Sequence, residues 1–210
     1  MKVVAINGSP RKDGNTRLLL EATLKPLAEA GWETEYIQIG GKNIHGCRAC
    51  GKCWETQDRR CVFGKDIFNE VNQKVLGAEA VILGSPTYFA DVTAEMKAFI
   101  DRCGVVAMAN GSLLAGKIGA AVVAVRRGGA IHVFDTMNHL FQISQMVLPG
   151  STYWNMGHGM DPGHVAEDAE ALRNMRHLGQ SIDWLGKAIQ GSVKPYPVLA
   201  KGEVWLDEGK

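Results

Sequence analysis

Short apolar runs alternate along this chain with longer stretches whose apolar positions recur every three or four residues, the pattern of strands followed by amphipathic helices. Val3 to Ile6 form the first run, and it ends at "NGSPRKDGNT", a loop rich in Gly, Pro, Asn and Ser. "TRLLLEATLKPLAEAG" then takes helical spacing; Pro26 inside it predicts a kink, or a restart after Lys25, because its ring removes a donor and crowds the preceding turn. "WETEYIQIG" alternates as a second strand. A cysteine-rich stretch follows, and "KDIFNEVNQKVLGA" carries a helical stripe of Ile67, Phe68, Val71, Val75 and Leu76. "EAVILGSPTYF" reads as a third strand buried on both faces. In "DVTAEMKAFIDRCG", Met96, Phe99, Ile100 and Cys103 share one helical face, with Asp91 or Thr93 placed to cap the start, so Cys103 is expected in the core. "KIGAAVVAV" is the fourth strand, "IHVFDTMNHLFQIS" a helix, and "QMVLPGSTYW" the expected fifth strand, at an edge where Pro149 is tolerated. Residues 163–190 predict one long amphipathic helix, and 191–210 an extended tail that lies across the domain or reaches a second subunit with Tyr196 and Trp205.

Five strands alternating with helices predict an α/β fold with a parallel sheet, since each parallel crossover needs a helix to carry the chain back. Residues 1–190 read as one domain, with no internal repeat and no low-complexity tract. At 210 residues, with 46% hydrophobic and 21% charged residues, the chain can bury a core without staples. A formal net charge of +1 with scattered Lys and Arg offers no footprint for nucleic acid or an acidic membrane surface. No apolar run reaches the length of a membrane span, and "MKVVAINGSP" has no charged leader, so a soluble, cytoplasmic protein is expected.

In open α/β sheets, ligands sit beyond the carboxyl ends of the strands. "NGSPRKDGNT" lies at such an end: Gly8 and Gly14 permit a tight turn, Ser9, Arg11, Asn15 and Thr16 offer donors, and the following helix presents unpaired N–H groups. The competing reading is a capped turn that binds nothing. A Gly-Lys-Ser/Thr ending and a G-x-G-x-x-G are both missing there, which argues against a P-loop hydrolase and a dinucleotide fingerprint. "SPTYF" and "RRGG" end the third and fourth strands. Tyr88 and Phe89 there suit the face of a flat ring, and Arg126, Arg127, Gly128 and Gly129 its polar edge.

"GSPRKDGNT", "GSPTYFADVTAEMKAFIDR" and "RRGGA" resemble the motifs of flavodoxin-fold FMN proteins, in particular the NAD(P)H-dependent FMN reductases and the iron–sulfur flavoproteins, over residues 1 to about 190. The resemblance implies a three-layer sandwich with strand order 2-1-3-4-5 and non-covalent FMN. Its phosphate is expected at Ser9, Arg11, Asn15 and Thr16, and its isoalloxazine against Pro86, Thr87, Tyr88 and Phe89. The turn carrying Arg127, Gly128 and Gly129 is expected beside the ring. A homo-oligomer, dimer or tetramer, is implied too, as is an electron donor such as NAD(P)H or a ferredoxin-like carrier. No catalytic side chain need be named, since the cofactor carries the chemistry.

Cys47, Cys50, Cys53 and Cys61, within the loop 45–64, form C-x2-C-x2-C-x7-C. Such compact runs suit iron–sulfur cubanes, whereas structural zinc more often uses two separated C-x-x-C knuckles. The spacing also resembles that of iron–sulfur flavoproteins, which implies a [4Fe–4S] cluster, with Arg59 and Arg60 near it and His45 outside the ligand set. The cysteine loop follows the second strand, at the sheet edge expected to hold the flavin. Three functions stay open: an electron-transferring iron–sulfur flavoprotein; an NAD(P)H-dependent FMN or quinone reductase with cysteines idle or binding zinc; and a non-enzymatic flavodoxin-like binding protein.

Overall fold

A computed structural model describes residues 1–198 of the chain. Trp205, expected to reach a neighbour, lies outside them. The strands are β1 (Lys2–Asn7), β2 (Glu33–Gln38), β3 (Ala80–Pro86), β4 (Ile118–Val125) and β5 (Met156–His158). The helices are α1 (Asn15–Glu29), α2 (Lys52–Thr56), α3 (Phe68–Leu76), α4 (Ala94–Ala109), α5 (Ala130–Ile143) and α6 (Ala169–Gln190). All strand pairs are parallel and the order is β2-β1-β3-β4-β5, the flavodoxin-like arrangement that the resemblance implies.

Strand periodicity sorts the core into two halves. Val4, Ile6, Val81, Leu83, Ala121 and Val123 pack against α3, α4 and α5, with Cys103 among them. Val3, Ala5, Ala80, Ile82, Ala120 and Val122 pack against α1 and α6. Both faces are therefore covered, which is why these strands read as continuous apolar runs. Leu19, Leu20 and Leu27 of α1 have no exposed surface, and each such burial stabilises the fold by about 1.5–3 kcal/mol. Burial pushes the Cys103 thiol up to about 12, so it stays protonated in the core.

Three expectations are corrected. Pro26 does not restart the helix after Lys25: α1 runs unbroken from Asn15 to Glu29. Pro26 lies near its C-terminal end, where it denies the Ala22 carbonyl one donor, and its ring faces Gly179 of α6, where a Cβ would come 2.5 Å from it. The fifth strand is also displaced. Val147 makes only an isolated bridge to Ile118, the chain leaves the sheet at Pro149, and β5 pairs Met156 with Val123. Val123 lies five positions after Ile118 and Met156 nine positions after Val147, so four residues are looped out. Finally, the stretch 163–190 is not one helix: a 3-10 turn at His164–Glu167 precedes α6, whose start Asp168 caps by accepting from the Ala171 N–H at 3.0 Å. Of the tail, Tyr196 lies against Gly116 of its own chain.

Candidate functional site

The phosphate-loop candidate is pinned from four directions. The buried Asn7 at the end of β1 accepts from the Ser9 N–H at 2.9 Å and donates to the Tyr36 hydroxyl at 2.6 Å. Gln38 donates to the Ser9 carbonyl at 2.8 Å, and Thr93, the N-cap of α4, donates to the Gly8 carbonyl at 2.8 Å. A Cβ on Gly40 would lie 2.2 Å from the Ser9 carbonyl carbon, so glycine alone lets the segment after β2 lie against the loop. The N-cap of α1 is Gly14, which has no side chain to cap with. The N–H groups of Asn15 and Thr16 point out of the helix start, where partial positive charge favours an anion.

Ser9, Arg11, Asn15, Thr16, Pro86, Thr87 and Tyr88 line one pocket of about 160 Å³ beyond the strand ends. Ala124, Val125, Arg126, Gly159 and Met160 complete its wall. Phe89, Arg127, Gly128 and Gly129 do not line it. Phe89 stands fully exposed at the tip of a two-residue turn in which Phe89 and Ala90 have φ of 48° and 64°, closed by hydrogen bonds of 2.9 and 3.0 Å between Tyr88 and Asp91. Left-handed backbone is strained for non-glycine residues, at roughly 1–3 kcal/mol each, and such strain concentrates at functional sites. Gly129, with φ of 89°, packs under this turn: a Cβ there would sit 3.0 Å from the Ala90 Cα.

Two details give the pocket its chemistry. The Thr87 hydroxyl is buried and has no hydrogen-bond partner, a polar group left for a ligand to satisfy. Asn15 works differently from expectation. Its amide donates to the carbonyls of Gly159 and Asp161, each at 3.0 Å, and accepts from the N–H groups of Gly163 and Val165 at 2.9 and 3.3 Å. The side chain thus ties the loop after β5 onto the phosphate loop, and only its backbone N–H remains to meet an anion.

The cysteine loop makes a second pocket, of about 290 Å³, into which Cys47, Cys50, Cys53 and Cys61 all contribute wall. Trp54, Val62, Phe63, Val105 and Val106 give it an apolar lining. Burial pushes the Cys53 thiol up, and charge on the other three pushes it further, so the four sulfurs lie within electrostatic reach of one another. Among the described residues, no three Cys, His, Asp or Glu side chains are grouped closely enough to hold a metal ion. The short helix α2, carrying Cys53, is an element that sequence periodicity missed; five residues are too few to show a period.

A buried ion pair fastens this loop to α4. Arg102 pairs with Asp66, donates to the His45 carbonyl at 3.2 Å and to the Phe63 carbonyl at 2.6 Å, and lies 4.1 Å over the Phe68 ring. Asp66 in turn accepts from the N–H groups of His45 and Phe68 at 2.9 and 3.1 Å. Burial raises the Asp66 pKa, but Arg102 and these two N–H groups outweigh it and hold the carboxyl below its ordinary value. Asn69 fixes Cys61 by accepting from its N–H and donating to its carbonyl, both at 2.8 Å. The arginines at the pocket are Arg48 and Arg102, not Arg59 and Arg60, whose stretch instead follows α4 to its end, with the Arg59 N–H donating to Asn110 at 2.9 Å.

The two pockets share no lining residue. Thr93 touches the phosphate loop, and Arg102 lies nine residues further along, roughly 13 Å of helix rise. The cysteine loop starts beyond the carboxyl end of β2 and runs along α4, from Arg102 to Asn110.

The profile of the family described as NADPH-dependent FMN reductase matches residues 1–161. An iron–sulfur flavoprotein of Methanocaldococcus jannaschii is 35% identical over 90% of this chain and 100% of its own length. One from Archaeoglobus fulgidus is 37% identical over 87% of this chain and 79% of its own. Among solved structures, RosB with a bound 8-demethyl-8-formylriboflavin-5′-phosphate intermediate superposes with a TM-score of 0.72 at 15% identity, over 92% of this chain and 82% of its own. A flavodoxin from the domain Archaea gives 0.59 at 17% identity, over 89% and 99%. The structural likenesses speak for the fold, and the sequence matches for descent. The chain belongs to the NADPH-dependent FMN reductase family and is a flavin-dependent oxidoreductase.

Proposed function

We propose that this protein is an iron–sulfur flavoprotein that passes electrons between non-covalently bound FMN and a [4Fe–4S] cluster ligated by Cys47, Cys50, Cys53 and Cys61. The observation that carries the reading is the meeting of all four cysteines at one apolar-walled pocket in a flavin-family chain. The names of the curated relatives agree with it. A flavin exchanges electrons in pairs or singly and a cluster one at a time, so together they convert two-electron chemistry into one-electron transfer.

The donor sets support both groups, four thiols around one pocket for the cluster and a polar pocket at the strand ends for FMN. Around the FMN phosphate, Ser9, Arg11, Thr16 and the uncapped start of α1 supply donors and positive charge. The unpartnered Thr87 hydroxyl is available to the flavin, and Pro86 and Tyr88 lie on the ring side. The enclosed volume, about 160 Å³, is smaller than pockets that engulf a whole cofactor, so the ring lies towards the open shelf beside the Phe89 turn. Gly129 shapes that turn from below. A homo-oligomer whose neighbour covers this shelf, and NAD(P)H or a ferredoxin-like carrier as donor, complete the reading.

Iron, acid-labile sulfide and FMN per chain in anaerobically purified protein test it. About four irons and four sulfides per FMN are expected, with Cys50→Ala losing the metal. FMN without iron or sulfide, even after reconstitution, would leave the alternative, an NAD(P)H-dependent FMN or quinone reductase without a cluster, to which the family's description points.

A further inference from the structure

Arg102 is almost fully buried, with 2% of its surface exposed, and forms part of the cysteine pocket's wall. Its terminal nitrogens are engaged: Nη1 donates to Asp66 and to the His45 carbonyl, and Nη2 to the Phe63 carbonyl. Its Nε is buried with no partner. A charged donor left unmet in the interior is costly, and native proteins rarely keep one unless a ligand, ion or water completes it. Among the described residues, no other buried side-chain atom without a partner belongs to this wall, and Arg48 of the same wall is exposed and stacks on Phe63 at 4.4 Å.

We propose that the Arg102 Nε–H is a hydrogen-bond donor to a sulfur of the cluster held by Cys47, Cys50, Cys53 and Cys61, and that it raises that cluster's reduction potential. This rests on the cluster reading above. Hydrogen bonds to cluster sulfurs stabilise the reduced form, in which one more electron sits on the same atoms. A single electron enters and no proton moves. Asp66 neutralises the guanidinium at its far side, so the influence on the cluster comes from the one directed N–H, while the same side chain locks both ends of the loop.

The amide nitrogen of a glutamine occupies the place of the arginine Nε along the side chain, and the terminal methyl of a methionine occupies it without a donor. Both lose the clamp and the charge. Arg102→Gln and Arg102→Met, each combined with Asp66→Asn so that no buried carboxylate is stranded, therefore differ in the terminal amide, which gives the glutamine variant N–H donors where the methionine variant has none. In reconstituted full-length protein the glutamine variant is expected to keep a potential close to wild type. It should also keep a strongly coupled exchangeable proton in the spin resonance of the reduced cluster, lost on transfer to D2O. The methionine variant is expected to show a lower potential and no such proton, or to lose iron that the glutamine variant retains. Equal potentials, or equal iron loss in both, would overturn the proposal and leave Arg102 as a clamp only. Wild-type protein without iron or sulfide would instead overturn the cluster reading, and this inference with it.

Discussion

Asn15 is a residue whose type was legible and whose work was not. A Gly/Ser/Asn loop at a strand end points to an anion, but the groups that take the Asn15 amide lie 144 to 150 residues away, beyond any local pattern. Arg102 escaped for the same reason, since its partners sit 36 to 57 residues off. Asn15→Ala leaves two carbonyls and two N–H groups without that partner, and stability should fall by about 1–3 kcal/mol in a urea melt. FMN fluorescence titration should show weaker binding, because the Gly159–Met160 wall loosens. Unchanged affinity would mean that this wall does not touch the cofactor. Gly40→Ala should act through the other side of the loop: a Cβ 2.2 Å from Ser9 backbone has nowhere to go, and overpacking of this kind costs about 1–3 kcal/mol. The same titration should register it.

Elements buried on both faces were the legible ones. β1, β3 and β4 fall where the apolar runs put them, because burial itself writes the run, and the edge strand β2 falls where its alternation put it. Where proline stands, local rules misled in both directions: Pro26 is absorbed at a helix–helix contact, whereas Pro149 takes the chain out of the sheet it was expected to join. The helix α4 does two jobs that its period does not display. Its cap Thr93 accepts from the Met96 N–H at 3.4 Å while holding Gly8, so Thr93→Val should cost about 1–2 kcal/mol and also weaken FMN binding. Further along, the Asp66–Arg102 pair fastens the cysteine loop. Because the Asp66 pKa is depressed in the fold, its stabilisation is present above the ordinary carboxylate value of 3.8 and is lost as pH falls through the lower folded-state value. Amide exchange in residues 45–66, corrected for intrinsic rates, should therefore rise below about pH 4 before the sheet opens. Asp66→Asn should exchange faster already at neutral pH and lose that acid step.

Across the whole molecule, two pockets without a common lining residue flank α4. Loading should accordingly be separable. Cys50→Ala is expected to bind FMN with wild-type affinity, and protein stripped of FMN to retain its iron; a loss of both groups together in either preparation would show that the sites fold as one. The edges of the sheet carry a further consequence. On one side β5 is only three residues long, preceded by the looped-out stretch at Pro149; on the other, Glu33 and Glu35 of β2 pair with Lys2, and Glu35 also with Lys74. Neither border offers a long, flat, uncharged row of free backbone groups. Among the described residues, both edges thus discourage strand addition, the route by which open sheets grow into fibrils, and leave helices and loops as the surfaces for association between copies.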